Sequence, residues 1–147
     1  MTTITSRRVV HTDVAAAAAV FLDWSQDPRW RSQVRRMTVD VPGPARKGQQ
    51  IVEELRFAGM TFVTPTRIEH AEQTSARWRG GSGAVTVSGT RTASADATGS
   101  VTLVASVDVA LRGPLRPLTA LLAPMYRQQQ ERDLDNLVAL LTGVALA

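Results

Sequence analysis

The stretch SVTLVASVDVALRGPLRPLTALL, residues 100–122, changes its hydrophobic period at its centre, and that change decides the fold. Up to Leu111 apolar residues fall at every second position, the pattern of a strand with one buried face. Beyond Arg112-Gly113-Pro114 the spacing becomes three and four, and a helix is expected from about Leu115 to Leu141. Leu118, Leu121, Leu122 and Met125 make one apolar cluster on it, and Leu134, Leu137, Val138 and Leu141 make another. Pro124 lies between the ends of this helix and should cost a backbone hydrogen bond and kink it. The clusters are separated by RQQQERD, residues 127–133. Tyr126, Gln129, Gln130 and Asp133 are spaced so that some must face inward if the helix lies on a core. Either they border a cavity, where they can stay hydrated or bind a ligand, or the kink turns them to solvent.

Upstream, the period of two extends back to Val34. VRRMTVDV, QQIVEELRF, MTFVTPTRIEHA, TSARWRGG, AVTVSGTRTASA and SVTLVASVDVAL each read as a strand. The short segments between them carry the Gly, Pro and Asp residues of hairpin turns, so the six strands form an antiparallel meander. Pro65 suggests that its strand is an edge or carries a bulge. TTITSRRVVHT, at residues 2–12, supplies a seventh strand. Thr12 or Asp13 can cap a helix in VAAAAAVFLDW, with Val14, Ala18 and Phe21 on one face. SQDPRWRSQ then continues as a turn or second short helix, since Pro28 is tolerated in a first turn.

The totals agree with one domain over residues 1–147, 44% apolar and 20% charged. Cysteine is absent, which excludes disulfides, thiolate zinc sites and a cysteine nucleophile. The N-terminal stretch lacks the apolar centre of a signal peptide, and the longest apolar run, Val14 to Leu22, is too short to span a bilayer. A cytoplasmic location without integral membrane association is expected. The net charge is +4, but the arginines are dispersed rather than gathered in a run, so a nucleic-acid partner is not expected.

The order strand, two short helices, six-stranded meander and long last helix resembles the START-like, or helix-grip, superfamily (SRPBCC), in particular its polyketide cyclase/dehydrase and lipid-transport branch. Three stretches carry the resemblance: AAAVFLDWSQDPRWRSQV, RKGQQIVEEL, and GPLRPLTALLAPMYRQQQERDLDNLVALL with its proline in the first half. It implies an α+β fold in which a curved seven-stranded antiparallel sheet grips the long helix around an elongated cavity. Such cavities open near the short helices and hairpin loops, which places Trp30, at the family's tryptophan position, near the entrance. Trp24 either joins that entrance or caps the core.

The resemblance further implies a small hydrophobic ligand, whether lipid, polyketide or aromatic metabolite, bound by a monomer or homodimer without cofactor or metal. The expected lining is Trp30, Trp24, Phe57, Met60, Phe62, Trp78, Leu122, Met125, Tyr126 and Gln129. Trp78 alternates with Arg77 and Arg79, so the indole points one way and both guanidinium groups the other. Two other functions compete with simple binding. A polyketide aromatase/cyclase would use proton donors in the same cavity, and family cyclases use an inward arginine to polarise a carbonyl. Tyr126, Arg56, Arg91 and His70 are the candidates, although an exposed strand position is the expectation for both arginines. Alternatively, a filled cavity would leave a protein-interaction module. Glu53 and Glu54 are adjacent and face opposite sides of a strand, so they form no acid–base pair. His11 and His70 stand at separate strand ends with no metal-ligand spacing. GxSxG, Gly-rich phosphate loops and HExxH are absent, which leaves nucleophilic or metal-dependent catalysis unsupported.

Overall fold

The computed structural model describes residues 2–83 and 85–143. Seven strands form one antiparallel sheet: β1 Thr2–Val10, β2 Val34–Val39, β3 Gln50–Phe57, β4 Met60–Ala71, β5 Ser75–Gly81, β6 Val85–Ala95 and β7 Val101–Leu111. Their order is β1-β7-β6-β5-β4-β3-β2, so the meander from β2 to β7 is closed by β1 pairing with the last strand. This is the expected helix-grip architecture, and two helices complete it, α1 (Val14–Phe21) and α2 (Leu118–Thr142).

Local chemistry explains the boundaries. Asp13, not Thr12, is the α1 cap, its carboxylate accepting from the Ala16 N–H at 3.1 Å. Asp23 repeats the device for a short 3-10 helix, Trp24–Arg29, by accepting from Ser25 N–H at 3.1 Å. Leu115 falls in a separate helical turn, Gly113–Leu115, so α2 itself starts at Leu118. It runs without interruption through Pro124 and ends at Gly143, whose left-handed conformation (φ 74°) closes it. The β3–β4 hairpin turns on Ala58 and Gly59, both at positive φ (52° and 76°), as a two-residue primed turn requires. Pro65 does not mark an edge, because β4 is interior to the sheet. It sits opposite Val52 of β3, while pairing with β5 begins only at Thr66, and the bulge lies further on, between Ile68 and His70.

The main core is gathered at one end of the sheet. Phe21, Ile51, Ile68, Leu103, Leu134 and Leu137 are fully enclosed there, joining α1, the sheet and the second half of α2. The first half of α2 is covered far less, with Leu121 66% and Met125 46% exposed. α2 packs chiefly on β1. Between its first half and the middle strands the sheet's concave face is left with space rather than side chains. No helix among the described residues is long and apolar enough to cross a membrane.

Candidate functional site

That space is a cavity of about 120 Å³ between α2 and strands β3 to β7. Its walls follow from strand alternation: Phe62, Thr64 and Thr66 from β4, Trp78 from β5, Val107 and Val109 from β7. Trp78 lies flat across β6, and Gly89 makes this possible. A Cβ there would stand 2.8 Å from the Trp78 ring and collide with the Ser106 carbonyl. Arg77 and Arg79 point outward, as the alternation predicts.

Of the expected lining residues, Trp24, Trp30, Phe57 and Phe62 border the cavity, as do Trp78, Leu122, Tyr126 and Gln129. Met60 and Met125 do not: Met60 stands at the hairpin tip and Met125 on the outer side of α2, both exposed. Arg56 is exposed on β3. His70 is also exposed and meets Glu72 at 3.1 Å, while His11 bonds the Ser100 hydroxyl at 2.8 Å, so neither histidine reaches the cavity.

Two expectations are reversed. Trp30 does not stand at an entrance; it is 4% exposed, and Trp24, at 3%, takes the core-capping alternative beside it, so that the two form the enclosed end. The less buried end lies instead between the β3–β4 hairpin and the start of α2, among Phe57, Phe62, Thr119 and Leu122. Arg91, expected at the surface, is 6% exposed. Its guanidinium stacks on Trp24 at 4.1 Å and approaches the Trp30 and Phe21 rings at 5.1 and 5.5 Å. It donates to both oxygens of Asp27, at 2.9 and 2.7 Å, and to the Phe21 carbonyl at 3.0 Å. The tryptophans of the 3-10 helix and its C-cap thus sandwich a buried cation.

The ion pair continues. Arg31 donates to Asp27 at 2.9 Å and to both oxygens of Glu53 on β3, at 3.0 and 3.1 Å. Burial works against the Arg31 charge, yet the Glu53 and Asp27 carboxylates outweigh it and hold the pKa well above the ordinary arginine value. Asp27, Arg31 and Glu53 were not expected at the site. The four-residue spacing of Asp27 and Arg31 is the one sequence signal that could have raised them.

The polar break in α2 divides by helix phase. Tyr126, Gln129, Gln130 and Asp133 face inward, while Arg127, Gln128 and Arg132 face solvent. Gln130 is buried, and its amide donates to the Ser6 hydroxyl at 3.0 Å and the Ala105 carbonyl at 3.2 Å, tying α2 to β1 and β7. Gln129 donates to Asp133 at 2.9 Å and to the Ser32 hydroxyl at 3.1 Å. Burial pushes the Asp133 carboxyl up, against the opposing pull of Arg31 and of hydrogen bonds from Gln129 and the Ser32 backbone. Tyr126 meets Phe57 edge-on, with centroids 5.7 Å apart, across the gap between α2 and sheet. Burial pushes its phenol up to about 12, with the Arg31 charge pulling the other way. The buried indole N–H groups of Trp30 and Trp78 have no acceptor among the described residues. Such orphans cost about 1–3 kcal/mol each.

A family model described as polyketide cyclase / dehydrase and lipid transport matches residues 1–142. No curated protein sequence matches the chain. Among solved structures, a protein of Thermus thermophilus superposes with a TM-score of 0.80 at 14% identity, covering 97% of this chain and 98% of its own. A START superfamily protein from Mycobacterium smegmatis gives 0.75 at 15% identity, covering 95% and 98%. The Zhui aromatase/cyclase from a Streptomyces species gives 0.80 at 12% identity, covering 96% and 93%. At these identities the likeness is one of fold.

Proposed function

The chain belongs to the polyketide cyclase/dehydrase and lipid transport family, and from that premise we propose that it binds a small, flat hydrophobic molecule in the cavity between sheet and α2. The observation that carries this reading is the lining itself. Aromatic rings from Trp30, Phe57, Phe62, Trp78 and Tyr126 surround one space, and the buried indole N–H groups of Trp30 and Trp78 lack acceptors among the described residues, with the Tyr126 phenol in the same lining. A largely preformed apolar site with a few orienting polar groups is the common design for small-ligand recognition. A planar molecule can stack on the indoles, and oxygens at its edge can use the orphaned donors. Polyketide-derived and other aromatic metabolites fit this description better than a saturated lipid, which offers the rings nothing beyond contact area.

Native mass spectrometry of protein purified from its native host, before and after organic extraction, tests the proposal. The expected result is a discrete additional mass of a few hundred daltons that extraction releases and that Trp78→Ala protein lacks. An apo mass, together with no change in tryptophan fluorescence on titration with aromatic polyketides, sterols and fatty acids, refutes it.

A second reading, catalysis of ring closure, is favoured by one feature. The Tyr126 hydroxyl and the Arg31 guanidinium lie along the same cavity wall. In an aldol closure the enol carbon of one segment would bond to a carbonyl carbon as its C=O π bond opens, the carbonyl oxygen taking the Tyr126 proton and the enol hydroxyl returning one to the tyrosine, with the folded chain held by the walls. Faster conversion of a linear poly-β-ketone by wild-type than by Tyr126→Phe protein supports that reading; equal rates exclude it.

A further inference from the structure

The charges in this cavity are closed on each other. Both terminal nitrogens of Arg91 are engaged by Asp27, and its face is covered by Trp24. Both terminal nitrogens of Arg31 are engaged by Glu53, one of them also by Asp27. Asp133 is a third carboxylate of this cluster and, like Glu53, lies in the lining; its contacts are with the Gln129 amide and the Ser32 backbone, and among the described residues no cation pairs with it. The cluster therefore sets two guanidinium groups against three carboxylates, Glu53 and Asp133 in the lining and Asp27 behind it, and neither guanidinium has a terminal nitrogen left unpaired.

This arrangement has a consequence for what can enter. A carboxylate leaving water for this space would find, among the described residues, no free cation to replace its hydration, and in the wall an acid, Asp133, that no cation pairs. A ketone or phenol gives up much less hydration, and the Trp30, Trp78 and Tyr126 hydrogens are of the kind it accepts or exchanges. We infer that the cavity admits uncharged aromatic ketones and phenols and rejects carboxylates, free fatty acids among them. The inference rests on the binding reading above and names its ligand class.

Calorimetric titration near neutral pH with 2-acetylnaphthalene and with 2-naphthoate, two probes of one shape that differ in charge, tests it. Wild-type protein should bind the ketone at least about tenfold more tightly than the carboxylate. Glu53→Gln, which frees one side of Arg31, should narrow that gap by about tenfold, chiefly by strengthening naphthoate. Asp133→Asn should narrow it too, without touching either arginine's ion pair, so the outcome does not depend on one variant folding. Naphthoate binding as tight as the ketone in wild-type protein, or a gap unchanged in both variants, overturns the inference while leaving the binding reading intact. Failure of both probes to bind wild-type protein and both variants rejects the binding reading and the inference with it.

Discussion

Asp27 accepts from both terminal nitrogens of Arg91, at 2.9 and 2.7 Å, in a corner where its own side chain is completely enclosed. A third donor, Arg31, reaches the same carboxylate at 2.9 Å. The pair joins the 3-10 helix to β6 across the closed end of the cavity. Removing one member leaves the other as an uncompensated buried charge. Asp27→Ala should therefore destabilise the protein by about 3–5 kcal/mol, read from urea denaturation midpoints. Replacing both residues by apolar ones of similar size, as in Asp27→Leu with Arg91→Met, should cost much less than the two single changes added together. Additive costs would mean that the contact is incidental.

Gly89 is a packing requirement of the site. A methyl group there would meet the Trp78 ring at 2.8 Å and the backbone carbonyl of Ser106, and the backbone cannot yield as a side chain can. Gly89→Ala should destabilise by about 1–3 kcal/mol and shift the Trp78 contribution to fluorescence as the indole is pushed toward the cavity. A variant with wild-type stability and spectrum would place Trp78 elsewhere than against β6.

Asp133 gives a pH dependence of defined sign. Its carboxyl is raised in the folded protein, with burial as the main cause, so the folded state holds this proton to higher pH than the unfolded chain does. Stability from this group is present at pH values below its unfolded pKa, about 3.9, and is lost as pH rises through the folded value. Asp133→Asn removes that dependence. Compared at neutral and mildly acidic pH, the wild-type protein should gain on the variant as acid is added. A difference that stays constant across this range would show that the carboxyl titrates in the folded protein as it does in the unfolded one.

Much of the architecture could be read locally, because alternation and helical spacing are properties of neighbouring residues. Val101 to Leu111 shows its buried face at every second residue, and the change after Pro114 located α2 to within three residues of its observed start. The inward set Tyr126, Gln129, Gln130 and Asp133 was legible as a question, and the phase of an uninterrupted helix answered it. Arg91 was not legible. Its burial depends on Asp27, 64 residues earlier and in a different element, and nothing around Arg91 in β6 announces that partner. Trp30 was placed at the wrong end of the cavity for a related reason. Which end of a cavity a loop closes is decided by packing of α1 and the 3-10 helix on the sheet, which the residues around Trp30 do not encode. Met60 and Met125 lie in apolar patterns yet fall where the core has ended.

Tyr126 is the only tyrosine, so its ionisation can be followed by absorbance without interference from another phenol. Burial raises it from 10.0 to about 12, with the Arg31 charge pulling the other way. The folded protein should therefore show a titration midpoint near 12, and the unfolded protein one near 10. The stability linkage has the same direction. The folded state retains the phenolic proton while the unfolded state releases it, so this group favours folding below pH 10 and progressively less as pH rises toward 12. Tyr126→Phe keeps the edge-on contact with Phe57 and removes the ionisation, and should remove this part of the alkaline loss of stability. It should also weaken binding of an aromatic ketone by about five- to tenfold, the worth of roughly one neutral hydrogen bond, while leaving a ring system without oxygen unaffected. A midpoint near 10 in the folded protein would put the hydroxyl in water rather than in the cavity wall, and the ligand effect should then vanish as well.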